Sequence, residues 1–425
     1  MTATFRSLRW LNYRLWFLGA LVSNIGAWMQ RTAQDWIVLV ELTAQDPLAV
    51  GVTMALQFGP MLVIGPFAGL LVDRFPGRHV LAVTQAAQAL LALGLGALVL
   101  SGTAQLWMVY GFALLLGIVT AVDNPARQTF VAELVPASDL PNAVALNAAS
   151  FNSARLVGPA VAGVTTAAIG SGWVFILNAV TFAAVLLALA ALRRQELQPV
   201  ARAERGHGGL REGLRYVKGR PDILAILAMV FLIGTFGLNF PIFTSTMARI
   251  EFGKGAGEFG LLSSVLAIGS VIGALRAANR NLPRLRYIVL AAAAFGLFCV
   301  VAALMPNYVT FAISLVPIGL ASMIMTTTAN SYVQTTTTPS MRGRVMSLYM
   351  AVFAGTTLIG APVVGWVAGL YGPRWALGVG ALSGFAAAAV GVAWFLSSHR
   401  VRLGRCPSAR WGVKLRIDAE LAASR

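Results

Sequence analysis

The sequence predicts an all-α membrane protein: twelve transmembrane helices in two pseudo-symmetric bundles of six. Three observations predict it. Hydrophobic residues make up 58% of the 425 residues and charged residues 11%, against roughly 25% charged in soluble domains. With a mean hydropathy of +0.76, the apolar side chains exceed what one water-surrounded core can hide, so most must face lipid or neighbouring membrane helices. Apolar runs of spanning length alternate with short turns, and every second turn is basic. The two halves also echo each other. Pro136 and Pro339, like Pro159 and Pro362, stand 203 residues apart, and Gly65 and Gly69 find counterparts in Gly269 and Gly273 at 204.

Taken in order, a basic N-terminus (Arg6, Arg9, Arg14) precedes a first helix over 15–42. That segment carries Asn24, Arg31 and Asp35 and has no small-residue cleavage site after a short apolar core, so it reads as a retained helix and not a signal peptide. Further helices are predicted over 48–72, 80–100, 106–130, 143–169 and 173–192, completing a first half of residues 1–192. Residues 193–222 are polar and basic, with Leu210, Leu214 and Tyr216 spaced for an amphipathic surface helix, and read as a linker. The second half, 223–396, repeats the scheme over 223–247, 260–275, 287–304, 309–333, 345–370 and 375–396. A basic tail, 397–425, follows.

Base content sets the expected orientation. Placing both termini, the linker and the alternate turns on one side gathers 27 of the 32 Lys and Arg there; Arg249, Lys254 and Arg374 fall opposite, and Arg31 and Arg155 within helices. That bias predicts cytoplasmic termini and an even number of spans, in a plasma membrane of the bacterial inner-membrane type. The net charge of +17 would suggest nucleic acid in a soluble protein, but here topology and anionic headgroups account for it. Cys299 lies in an apolar run and Cys406 in the tail, so neither a disulfide nor a metal site is expected. There is no phosphate-binding Gly-x-x-x-x-Gly-Lys-Ser/Thr loop, and no HExxH or nucleophile-elbow signature; neither ATP-driven work nor a membrane enzyme is indicated.

The most specific stretch runs Gly65-Pro66-Phe67-Ala68-Gly69-Leu70-Leu71-Val72-Asp73-Arg74-Phe75-Pro76-Gly77-Arg78-His79. Gly65 and Gly69 share one helix face and permit close backbone approach; then an Asp-Arg pair and a basic turn end the span. This resembles the loop between the second and third helices of the major facilitator superfamily, with Pro76 as one extra residue and His79 where a second base is usual. The resemblance assigns Gly69, Asp73, Arg74, Gly77 and Arg78 to a gating loop, with Glu133 as the acid partnering Arg78 and Asp123 as runner-up. Arg74 and Arg78 as ordinary positive-inside residues is the alternative. The second half has Arg276, Arg280 and Arg284 at the equivalent turn and no acid matching Asp73.

Intramembrane polar residues supply the remaining candidates. Asn24, Trp28, Arg31 and Asp35 fall on one face of the first helix, widened by Gln30 and Gln34. A charge at mid-membrane costs at least ~2.5 kcal/mol, so such a face turns to a wet cavity or a partner helix. Asp35 can be a proton-titrating carboxylate tuned by Arg31, or the two can form a permanent structural bridge; both stay open. Asp123 and Arg127, four residues apart near the end of the fourth helix, suit proton coupling or a structural ion pair. The fifth helix holds Asn152 and Arg155, then Gly158-Pro159-Ala160-Val161-Ala162-Gly163. Gly158, Pro159 and Gly163 resemble the antiporter motif of facilitator-superfamily exporters, against plain small-residue packing as the alternative. Asn239 and Asn330 are further cavity candidates, with Asn24, Trp28, Gln34, Arg127, Asn152 and Arg155. Two central arginines favour an anionic or zwitterionic substrate.

Over nearly the whole chain to Leu396, stretches such as Phe5-Arg6-Ser7-Leu8-Arg9, Trp28-Met29-Gln30-Arg31, Asp123-Asn124-Pro125-Ala126-Arg127-Gln128 and Asn142-Ala143-Val144-Ala145-Leu146-Asn147 resemble the transmembrane secretion effector, or enterobactin-exporter-like, branch. The resemblance implies proton-driven export of drugs, siderophores or other amphiphilic compounds by alternating access. Its partners would be the substrate, protons and the bilayer, with no nucleic acid and no cofactor, and the unit a monomer. A proton-coupled importer, or a non-transporting receptor or scaffold on the same fold, are the alternatives.

Overall fold

A computed structural model describes residues 3–198, 210–278, 284–398, 402–405 and 413–416. Residues 199–209 of the predicted linker, the second-half turn at 279–283 and much of the tail therefore lie outside the described residues. The long helices are α1 (Leu11–Trp36), α2 (Pro47–Arg74), α3 (Gly77–Leu100), α4 (Leu106–Leu134), α5 (Leu140–Ile169) and α6 (Ser171–Ala191). After the short α7 (Leu210–Lys218) come α8 (Pro221–Leu232) and α9 (Phe240–Thr246). The series ends with α10 (Ala256–Ala278), α11 (Leu285–Ala303), α12 (Tyr308–Thr336), α13 (Pro339–Tyr371) and α14 (Pro373–Ser398). Two four-residue strands, Arg402–Arg405 and Val413–Arg416, pair antiparallel in the tail.

Ten helical segments are long and apolar enough to cross a membrane. With residues such as Val63, Leu90, Leu187, Leu290 and Leu382 exposed on their flanks, they describe a multi-pass membrane protein. Two more long helices, α1 and α5, are absent from that set, because Asn24, Arg31, Gln34 and Asp35 interrupt one and Asn147, Asn152 and Arg155 the other. These are the two helices that carry most of the candidate site.

Local chemistry explains the element ends. Asp46 caps α2 by accepting from the Leu48 N–H at 2.9 Å, and Pro47, Pro339 and Pro373 occupy first-turn positions where a missing N–H costs nothing. Gly170 and Gly372, at φ 94° and 97°, end α5 and α13 in the left-handed region. The span predicted as one helix over 223–247 is broken instead. A wide π-turn at Ile233–Gly237 ends α8, Leu238 and Asn239 leave helical geometry, and Pro241 restarts the chain as α9. Two glycines and a proline within eight residues are the cause.

Packing places both ends of the helices. Ser171 Oγ donates to the Glu41 carboxylate at 2.7 Å, joining the end of the first span to the start of α6. At the opposite end, the one carrying the Arg74–Arg78 turn, Asp139 staples the N-terminus to the α4–α5 turn. Its carboxylate accepts from Trp10 Nε1 and Arg9 Nη2 at 2.8 Å each and pairs with Arg6 Nε at 2.7 Å. The Trp10 indole N–H, then the two guanidinium groups, hold this carboxyl below the usual carboxylate range although burial opposes them. A depressed carboxyl stabilises the fold above its ordinary unfolded value near 4, and the contribution is lost as pH falls through the lower folded value. The staple should thus be indifferent to pH between 5 and 8. Asp139→Ala should let trypsin cut at Arg6 and Arg9 several-fold faster across that range; unchanged cleavage would mean that the staple holds nothing.

Helices before residue 192 pack mainly on each other (α1 on α5 and α6, α2 on α4, α3 on α4 and α6), as do those after 221 (α10 on α12, α11 on α12 and α14). The two sets meet along two seams, α2 with α13 and α5 with α10. At one end both seams are tight. On Gly51 an added Cβ would strike the Ala361 carbonyl, on Gly365 the Pro47 carbonyl, and on Gly163 the Ala256 carbonyl oxygen at 2.7 Å. Ser264 Oγ also donates across to the Leu156 carbonyl at 2.7 Å, and Trp36 stacks on Phe259, centroids 5.9 Å apart at 19°. Toward the Arg74–Arg78 end, Gly65 on α2 and Gly343 on α13 have nothing within 4 Å.

Candidate functional site: the polar face of the first helix

Asn24, Trp28, Arg31 and Asp35 lie along α1 where it packs on α5, and the structure divides them into two clusters. In the first, Asp123 is buried and fully bonded. Its Oδ1 accepts from Thr84 Oγ1 at 2.6 Å and Gln85 Nε2 at 2.7 Å, and its Oδ2 from Arg127 Nε at 2.6 Å. Arg127 continues to Ser23 Oγ at 3.2 Å and Asn24 Oδ1 at 3.5 Å, with its guanidinium 5.8 Å from the Trp16 ring. The network ties α1, α3 and α4 together, and three acceptor contacts anchor the Asp123 side chain. Thr84, Gln85, Ser23 and Trp16 were not among the sequence candidates. Adjacent polar residues inside the apolar run 80–100 were the signal for the first two.

The second cluster is differently made. Arg31 lies 4.9 Å from the Trp28 ring centroid and 5.4 Å from that of Phe58, and Arg155 lies 5.7 Å from Trp28. Phe151 meets Trp28 edge-on at 5.8 Å. Asp35, one turn beyond Arg31, is buried at 6% exposure. No salt bridge joins it to Arg31, so among the described residues the permanent-bridge arrangement is not formed. Both amide atoms of neighbouring Gln34, and the Trp28 indole N–H, are buried without a partner. Buried polar groups without partners mark either strain or room for something that binds.

The remaining candidates are dispersed. Asn152 bonds back to the Ala148 carbonyl at 2.8 Å and Asn239 to the Thr235 carbonyl at 2.7 Å. Asn330 accepts from Gln334 at 2.5 Å and lines a recess of about 280 Å³ with Thr326, Thr327, Ser331, Tyr349, Met350 and Phe353. Gly158 sits against α1, its would-be Cβ 2.6 Å from that of Trp28, whereas the Pro159 carbonyl and Gly163 face Gly260 of α10. The Gly-Pro motif therefore serves two contacts, one inside its own set of helices and one across the seam.

The gating-loop residues are only partly visible. The side chains of Gly69 and Asp73 lie outside the described ones. Arg74 is exposed and Arg78 half-buried, and no salt bridge joins Arg78 to Glu133 or Asp123 among the described residues. Glu133 instead sets its carboxylate against the first turn of α3, 2.8 Å from where a Cβ on Gly77 would be. A negative group is favoured at that helix terminus. Among the described residues no group of three or more His, Cys, Asp or Glu could hold a metal.

Residues 2–422 match the transmembrane secretion effector family. The chain belongs to that family, within the major facilitator superfamily. It is 26% identical to the staphyloferrin A transporter of Staphylococcus aureus, over 79% of this chain and 85% of that protein. It is 24% identical to the enterobactin exporter EntS of Salmonella typhimurium, over 92% and 93%, and 28% identical to the multidrug efflux pump Tap of Mycolicibacterium fortuitum, over 77% and 82%. Its fold is shared with the nucleoside transporter NupG at TM-score 0.71, with 15% identity, covering 91% of this chain and 100% of that one. The relatives of this chain are transporters and not enzymes.

Proposed function

We propose that the protein is a proton-coupled exporter of amphiphilic small molecules, siderophores and drugs being the classes its relatives handle. Twelve spans, α1 and α5 among them, form two six-helix halves over 1–192 and 223–396, in an inner membrane with both termini cytoplasmic. The halves rock about a central site, and the protein acts as a monomer in the bilayer, without cofactor or nucleic acid. One observation carries the reading: the close backbone contacts across the seams, at Gly51, Gly365, Gly163 and Gly260, gather at the end away from the Arg74–Arg78 turn, whereas Gly65 and Gly343 toward that turn meet no described atom within 4 Å. With the basic turns cytoplasmic, that is a carrier open to the inside, ready to load.

In this scheme Asp35 takes protons arriving from outside, with Arg31 and the bonded Asp123–Arg127 pair shaping the field around it. Asn24, Trp28, Gln34, Arg127, Asn152, Arg155, Asn239 and Asn330 contribute to the cavity and its walls. Gly158, Pro159 and Gly163 allow the outer closure, and Gly69, Asp73, Arg74, Gly77, Arg78 and Glu133 latch the inner side when it shuts. The test is efflux from proteoliposomes, screened over drugs and siderophores with and without an imposed pH gradient. Gradient-dependent efflux supports the reading, and no gradient-dependent flux of any compound rejects it. Asp73→Asn should lower the rate without reducing insertion, and an unchanged rate removes the latch.

A second reading, proton-coupled import, has one observation in its favour. Asp35 stands a turn from Arg31 and is not bonded to it, so a proton on Asp35 would leave Arg31 freer for an anion. Proton and anion would then load together, as in a symporter. Uptake driven by an inward proton gradient in the same vesicles is the result that would favour it.

A further inference from the structure

The bound-charge pattern around Trp28 asks for a counter-ion. Arg127, Arg220 and Arg374 each hold a carboxylate at 2.6–2.8 Å. Arg31 and Arg155, by contrast, have no ion pair among the described residues and only rings beside them, their guanidinium carbons 4.9 and 5.7 Å from the same indole. A cation over an aromatic face gains attraction from the ring but leaves its five N–H donors unused. Trp28 adds a third donor, its buried and unpartnered Nε1–H. Asp35, one turn from Arg31, forms no ion pair with either arginine among the described residues. All of this lies on α1 and α5, just inward of the closed seam, and Phe58 and Phe151 supply flat apolar walls on either flank.

We propose that Arg31, Arg155 and Trp28 form a subsite for a planar organic anion, a carboxylate or an acidic phenolate carried on an aromatic or similarly flat body. The guanidinium fork matches two oxygens at once, and stacking on Trp28 pre-sets the plane of that fork before a ligand arrives. The body of the ligand lies against Phe58, Phe151 and the indole. Asp35 opposes the anion electrostatically, so its neutralisation strengthens binding. This assignment rests on the reading of a central carrier cavity, common to the export and import readings, and names the substrate's charge and shape; tighter anion binding with Asp35 neutral would load proton and anion together and so count for import.

Calorimetric titration of the purified protein in nanodiscs tests it, with 2-naphthoate, salicylate and citrate as anionic probes and 2-naphthamide as the neutral isostere of the first. At least one aromatic anion should bind about tenfold or more tighter than the amide, the factor expected when charge-assisted hydrogen bonds replace neutral ones. Arg31→Gln and Arg155→Gln should each remove most of that preference and leave amide binding within about twofold. Asp35→Asn should tighten the anions. Arg31→Lys, which keeps the charge and loses the fork, should fall between, showing that the variants are folded. No preference for any anion, or a preference surviving Arg31→Gln with Arg155→Gln, overturns the subsite. Flux in vesicles is a separate readout: anion selectivity without gradient-driven flux keeps the subsite and rejects the exporter, and the converse keeps the exporter and rejects the subsite.

Discussion

With Asp35 replaced by asparagine, efflux should continue down a substrate gradient but stop responding to the transmembrane pH difference. Each unit of that difference contributes about 1.4 kcal/mol per proton carried, enough to sustain roughly a tenfold concentration ratio. Wild-type vesicles should therefore accumulate or deplete substrate with the pH step, and the Asp35→Asn protein should settle at equal concentrations. Asp35 is chosen over Asp123 on geometry. Asp123 is committed to Thr84, Gln85 and Arg127, whereas Asp35 has no bonded partner among the described residues. Exchanging a proton at Asp123 would mean dismantling a network that spans three helices. Pumping that still follows the pH step in Asp35→Asn would reassign the proton to another group.

Gly260→Val should abolish turnover while leaving expression and insertion near normal. Any Cβ on Gly260 meets the Pro159 carbonyl and lies 3.0 Å from the Gly163 Cα, atoms of backbone that cannot swing aside. Overpacking of this kind costs about 1–3 kcal/mol, which disfavours the closed seam by roughly fivefold to a hundredfold or more. Under the proposed alternating-access scheme the cost falls on one conformation only, the one in which α5 and α10 meet. A cysteine introduced at Gln34, with Cys299 and Cys406 changed to serine, should react faster with an impermeant maleimide added outside. Gly111→Ala is the matched control, since nothing lies within 4 Å of it. Wild-type turnover in Gly260→Val would mean that this seam does not have to close.

Much of this was legible from residue pattern alone. Long apolar runs are set by lipid, and the spans follow from counting them; the polar face of α1 stood out because Asn24, Trp28, Arg31 and Asp35 share a helical periodicity. What the pattern could not supply was partnership. Arg31 and Asp35, four apart, look paired in sequence, yet Arg31 turns to the rings of Trp28 and Phe58, contacts that depend on how α2 and α5 come together. Glu133 and Arg78 likewise form no ion pair among the described residues, the Glu133 carboxylate lying instead against the first turn of α3 beside Gly77. The break at Leu238 and Asn239 came from two glycines and a proline inside a run whose composition still read as continuous.

The Trp36–Phe259 stack has a further implication for the order of events. Trp36 and Asp35 stand at the same level of α1, with Arg31 one turn further from the closed end. An opening that begins at this ring pair would therefore reach the level of Asp35 before that of Arg31. Under the proposed exporter scheme, a proton from outside would then meet its acceptor before the arginine level is bared to that side.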